Sequence, residues 1–207
     1  MNMMGIILCM ARSPNTRKED THEHILNVAA RALRRDGYAG VRVADVMKEA
    51  GLTHGGFYAH FPSRDALLVE ALDRAGRDSA AAVARAAAKR RGEGVSAFRS
   101  LVETYLSDRH LASCETGCPV AALGSDMPRQ SLAVRAASAL RVERLVESVR
   151  DTLPGASRAV AAVVTGTLVG TLQLARALGD GDEGRSVLAA ARDALLRQYD
   201  KPCKPPH

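Results

Sequence analysis

The run Gly51-Leu52-Thr53-His54-Gly55-Gly56-Phe57-Tyr58-Ala59-His60-Phe61 limits the possible folds more than any other part of the sequence. Before it, Val43-Ala44-Asp45-Val46-Met47-Lys48-Glu49-Ala50 reads as one short amphipathic helix. After it, Pro62-Ser63-Arg64-Asp65-Ala66-Leu67-Leu68 opens a further helix. Two short helices joined by a tight glycine-containing turn make a helix-turn-helix, whose second helix enters the major groove of DNA.

Helical spacing dominates the remainder, and strand alternation is almost absent, so the expected class is all-α. A first helix should run from about Thr16 to Asp36. Thr16 and Glu19 have the spacing of a capping box, Ile25, Leu26, Ala29, Ala32 and Leu33 form one apolar stripe, and Gly37 is the stop. A second helix spans about Ala44 to Ala50. A third spans about Thr53 to His60, with Thr53 as its cap. Ser63 caps a long fourth helix, Arg64 to Arg91, in which Gly76 is the weak point. A fifth covers Ser96 to Arg109, and the Gly- and Pro-rich segment Ser113 to Gln130 reads as loop with one short helix. Helices at Ser131–Leu153, Ser157–Leu178 and Arg185–Tyr199 complete the chain. The domain expectation is a tail over residues 1–15, a helix-turn-helix domain over 16–62, a second helical domain over 63–200 and a tail over 201–207.

A chain of 207 residues, 46% hydrophobic, can bury a sizeable core without staples. The net charge of +6 suits a polyanionic partner. Cys9, Cys114, Cys118 and Cys203 form no framework of short spacings, which favours a reducing cytoplasm. The apolar start has no Lys or Arg before Arg12, unlike a signal peptide, and reads as a tail or as sequence ahead of a true start at Met10. Ala159 to Ala175 is apolar, with Gly166 and Gly170 at the spacing of close-packed membrane helices. Thr165, Thr167, Thr171 and Gln173 interrupt it and it is shorter than a usual span of ~20 residues, so a close-packed helix in a soluble interface is expected, and no membrane partner.

These residues resemble the TetR family of transcriptional regulators. The resemblance rests on Ile25-Leu26-x-x-Ala29-Ala30, Gly37-Tyr38, Ala44-x-Val46, Ala50-Gly51-Leu52, Gly55-Gly56-Phe57-Tyr58-x-His60-Phe61 and Ser63-Arg64-Asp65-Ala66-Leu67, covering roughly residues 18–80. It implies a homodimeric, cytoplasmic, nucleoid-associated protein that binds a palindromic double-stranded DNA operator. Such a protein is usually a repressor, released by a small-molecule or thiol-reactive effector, and is not an enzyme. In the candidate interface, Gly55 and Gly56 thin one face of the third helix, and Thr53 and His54 sit at its N-terminus, where base edges are touched. Tyr58 and His60 can donate to phosphates, and Arg17, Lys18, Arg42 and Lys48 supply screened charge. His60 also has a bland reading as a core histidine, and Arg42 and Lys48 as solvated charges. His54 stands where family members often carry Lys and cannot supply a full charge at neutral pH. Phe57 and Phe61 should turn inward onto Val46, Leu52 and Leu67.

The segment Cys114-Glu115-Thr116-Gly117-Cys118-Pro119, preceded by His110, carries competing readings. The thiols can be small apolar fillers, a redox or electrophile sensor with Cys118 capping a helix that Pro119 begins, or ligands of a metal together with His110. Gly117 and Pro119 argue against the continuous helix a metal site needs, so no metal or cofactor is expected. Cys114, Cys118, His110 and Tyr105 are the candidate effector residues, in a pocket expected to be lined by Ala, Val and Leu. A dimer interface is expected from Val163, Gly166, Gly170, Leu174, Leu188 and Leu195 on the last two helices. The rival to DNA binding is a helical dimer that senses thiol chemistry or metal alone, which leaves the helix-turn-helix unexplained.

Overall fold

The computed structural model describes residues 14–91 and 94–200. The tail expectations at residues 1–13 and 201–207, and with them Arg12, Cys9 and Cys203, lie outside the described residues. The helices are α1 (Pro14–Gly40), α2 (Val43–Glu49), a 3-10 helix (His54–Ala59), α3 (Arg64–Arg91), α4 (Ala97–Tyr105), α5 (Asp108–Ala112), α6 (Pro119–Leu123), a 3-10 turn (Met127–Arg129), α7 (Leu132–Arg150), α8 (Arg158–Leu178) and α9 (Asp182–Tyr199). No strand occurs among the described residues, so the protein is all-α.

Several boundaries differ from the expected ones for identifiable reasons. α1 already runs at Pro14, so Thr16 lies inside it and is not its cap. Proline suits a first helical turn, where its missing N–H has no partner to lose. Gly37 breaks α1 as expected, with φ 71°. The third helix is a six-residue 3-10 helix, and the glycine pair Gly55-Gly56 accounts for its failure to propagate as α. Thr53 holds the cap position, yet its hydroxyl accepts no capping bond. The tight turn instead sends the Gly56 amide to the Thr53 carbonyl at 3.1 Å. The fifth helix is split at Leu106, because Ser107 caps a new helix by accepting the His110 amide at 3.2 Å. α9 begins three residues early, with Asp182 and Glu183 in its first turn, where the helix dipole favours acids.

α1 lies along α3, and their shared core holds Ile25, Leu26, Ala29, Leu33, Leu67, Leu68, Ala71 and Leu72. α7, α8 and α9 pack as successive neighbours, α7 also against α3 and α9 against α4. α8 is long and apolar enough to cross a membrane, but Ala161, Val164, Leu168, Leu172 and Ala175 are buried inside the protein. Leu188 and Leu195, expected at an interface between copies, are enclosed in the subunit's own core. α9 turns its leucine stripe toward α8 and α4, which leaves no part of Leu188 for a second chain.

Gly76 is the point where α7 crosses α3. A Cβ there would run into Cδ, Cζ and Nη1 of the buried Arg141. Gly76→Ala should therefore lower stability by about 1–3 kcal/mol through overpacking, despite better helix propensity. In an Arg141→Ala background the same change should become neutral or stabilising. A urea double-mutant cycle measures both; equal effects in the two backgrounds would show that Arg141 is not the obstacle.

Candidate functional site

The helix-turn-helix is held from behind by polar braces that leave its front free. Arg64 donates to the Val41 carbonyl at 2.9 Å and to that of Tyr38, fixing the turn into α2. His24 Nε2 donates to the Ala50 carbonyl at 3.1 Å, at the end of α2. His22 Nε2 bonds Glu70 at 2.8 Å, and its ring stacks on Phe61 with centroids 4.4 Å apart. Sequence reasoning missed all three braces, because each joins residues 23 to 48 positions apart and no local spacing marks them.

Phe57 and Phe61 are buried together with Val46 and Leu67, stacked 5.6 Å apart, and Leu52 packs at their edge. Tyr58, the next residue along, is 67% exposed. Thr53, His54 and Gly55 are exposed as well, as are Arg42 just ahead of α2, Lys48 on α2, and Arg17 and Lys18 near the start of α1. The two glycines separate in role. A side chain at Gly55 would meet nothing within 4 Å, whereas one at Gly56 would touch Met47 Cε at 3.7 Å. Only Gly55 thins the outer face. His60 is half-buried, with Nδ1 sealed from solvent and unpartnered. Burial first, then His22 and Lys18, push its pKa down, which favours the neutral ring.

A cleft of about 870 Å³ opens behind this head, between α1, α3, α4 and α5. The expected Ala and Val wall is present at Ala81, Ala82, Val83 and Ala86. The rest of the lining is basic and rich in hydroxyls instead of apolar, because α1 contributes Asn27, Arg31 and Arg34, α4 contributes Thr104 and the α4–α5 turn contributes Ser107. Tyr105 and His110 line it; Cys114 is exposed on the same loop, and Cys118 is only 3% exposed.

His110 has both ring nitrogens committed. The Tyr105 carbonyl can only accept, so Nδ1 carries the proton and donates at 2.7 Å, which leaves Nε2 to accept the Cys118 amide at 3.0 Å. That arrangement removes His110 from any metal site. Gly117 is required beneath the ring, since a Cβ there would approach Nε2 to 2.6 Å. Burial, opposed by the Tyr105 bond and assisted by nearby Arg176, lowers the His110 pKa to about 4. The folded chain thus refuses a proton that an unfolded histidine takes up near pH 6.5. Stability should fall as pH drops from about 6.5 to about 4, by roughly 3 kcal/mol, and be constant above that window. Urea melts of the protein and of His110→Gln should show the acid slope reduced in the variant; parallel slopes would assign the proton to another group.

Residues 25–71 match the family described as bacterial regulatory proteins, tetR family. The transcriptional regulator AcrR of Shigella flexneri is 34% identical over 61 residues, 30% of this chain and 28% of AcrR. The chain thus matches less than a third of that relative's length. A TetR transcriptional regulator from Chloroflexus aurantiacus has the same fold, with TM-score 0.70 and 21% identity over 89% of this chain and 98% of its own. E. coli NemR in its reduced form superimposes with TM-score 0.70 at 18% identity, covering 90% of this chain and 100% of NemR. Residues 25–71 thus carry the sequence of a tetR-family N-terminal domain, and the chain shares the fold of solved TetR-family regulators.

Proposed function

We propose that the protein is a cytoplasmic, homodimeric repressor of transcription, released from a palindromic DNA operator by a small effector. The observation that carries this reading is the split of neighbouring side chains in the 3-10 helix: Phe57 is sealed in the core while Tyr58 is 67% exposed beside Thr53, His54 and Gly55. Within the fold that outer row contributes the Thr53 carbonyl, which accepts the Gly56 amide, and the edge-on contact of Tyr58 with Phe57, and the side chains of Thr53, His54 and Tyr58 make no hydrogen bond among the described residues. Thr53 and His54 are assigned to base edges, Gly55 to close backbone approach, and Tyr58, His60, Arg17, Lys18, Arg42 and Lys48 to phosphates. His60 serves there as a neutral donor.

The dimer reading draws on α8. Val163 and Leu174 are each 63% exposed, and Gly166 and Gly170 lie between them with open space above. Such a stripe lets two helices approach closely. A C2 pair must hold its reading helices one DNA turn, about 34 Å, apart. We divide the subunit at Pro62, with residues 16–62 as the head and 63–200 as the effector and dimerisation part. α3 joins the two, and Tyr38 Oη lies 3.2 Å from Ser138 Oγ, so the head is also tied to α7. A ligand that prefers a different relation of head to body lowers DNA affinity by its differential binding to the two states. Burial of Cys118 argues against its own reaction with an effector, whereas the exposed thiol of Cys114 is open to one.

Gel shifts on the DNA flanking the protein's own gene test the reading, with competitor DNA to separate specific from general binding. Tyr58→Phe should weaken binding several-fold on every sequence, as for one lost phosphate bond worth about 1 kcal/mol. Unchanged affinity would remove Tyr58 from the interface. Leu174→Glu should convert a dimer to a monomer in light scattering and abolish operator binding; a monomeric parent protein would sink the symmetric reading.

A further inference from the structure

The cleft behind the head has an excess of positive charge. Arg31, Arg34, Arg85, Lys89 and Arg109 all line it, and Asp78 is its one carboxylate, whose charge acts on Arg34 together with that of Glu115 on the neighbouring loop. Asp78 is already held by Arg74 at 3.1 Å. Arg31, Arg85, Lys89 and Arg109 have no ion-pair partner among the described residues, although neighbouring Arg74, Arg90 and Arg99 are each paired. Isolated surface cations are common and carry little meaning. Arg34 is different: it is 5% exposed, its Nη1 donates to the Ala75 carbonyl at 3.2 Å, and its Nε is buried without a partner. A buried guanidinium with an idle donor is costly, and most such groups find an acceptor. The Tyr105 hydroxyl on the same cleft is also buried, with the Cys118 thiol beside it and no hydrogen bond of good geometry.

We infer that this cleft takes a small anionic ligand, a carboxylate or phosphate on a short apolar body, with the anion on Arg34 and the rim cations and the body on the alanine wall of α3. The volume suits a molecule of that kind. Arg34 lines the cleft, and a phosphate or carboxylate there makes charge-assisted bonds with its guanidinium. His110 is neutral in its fixed tautomer and adds no charge to compete. The inference rests on the regulator reading for its purpose, because Arg31 and Arg34 belong to α1 of the head while Arg85 and Arg109 belong to α3 and α5. An anion bridging them would bias the head against the body.

Calorimetric titration of the full chain with octanoate and with octyl phosphate tests the inference, with octanol, octylammonium and inorganic phosphate as controls. At least one of the two amphipathic anions should bind saturably, and the alcohol and the ammonium should not. Octanoate alone or octyl phosphate alone distinguishes the two head groups. An Arg31→Ser/Arg85→Ser variant, altered only at exposed rim positions, should bind at least tenfold more weakly, and Arg34→Met should abolish binding. If Arg34→Met does not fold, the rim variant alone decides. Absence of saturable binding by both anions, equal binding of octanol or octylammonium, or unchanged affinity in the rim variant each overturns the inference. Gel shifts without ligand separate this from the regulator reading. Anion binding by a protein that binds no DNA keeps the cleft and removes the regulator. Loss of DNA affinity in a rim variant of a protein that binds neither anion reassigns these cations to DNA phosphates.

Discussion

The buried stripe Leu67, Leu68, Ala71, Leu72 and Ala75 of α3 is the constraint on which the other placements depend. It gives α1 its packing partner, and α1 in turn carries the braces that orient α2 and the 3-10 helix. Apolar burial of this kind is worth about 25 cal/mol per Å², is non-directional, and cannot by itself aim a short helix. Direction comes from Arg64, His22 and His24, whose bonds are specific in angle. The head therefore combines a cheap adhesive with a few exact struts, and its outer row is free for another purpose.

The helix-turn-helix was legible because its signals are local: glycine stops, an apolar residue every three or four positions, Pro62 and Ser63 as punctuation. The helix type at His54–Ala59 was not, since Phe57 and Phe61 point inward in an α or a 3-10 helix alike. The break at Leu106 depends on a serine hydroxyl winning over helix continuation, a contest that propensity leaves nearly even. Leu188 and Leu195 show the general limit. Their spacing reveals an apolar face of α9, and an apolar face looks the same whether its own subunit or a second chain covers it.

The same limit hid the cleft. Arg34 follows Leu33 on the apolar stripe, and a lone arginine there suggests a side chain reaching for solvent. Its burial arises only when α3 and α6 pack against α1. His110 and Cys118 likewise meet because the loop folds back, placing a ring nitrogen against an amide eight positions on. Burial of polar groups is a property of the assembled layers, and one-dimensional spacing carries little of it.

The turn between α8 and α9 has a mechanical meaning. Gly184 sits where any larger residue would strike the Gly179 carbonyl, so the two helices meet with no slack between them. At the far end of α9, Tyr199 packs edge-on to Phe98 and Asp200 takes Arg99 at 2.7 Å and Ser96 at 2.5 Å. The pair is anchored at both ends. A displacement of α8 would meet no loose connector before the foot of α4, the helix that ends at the rim of the basic cleft.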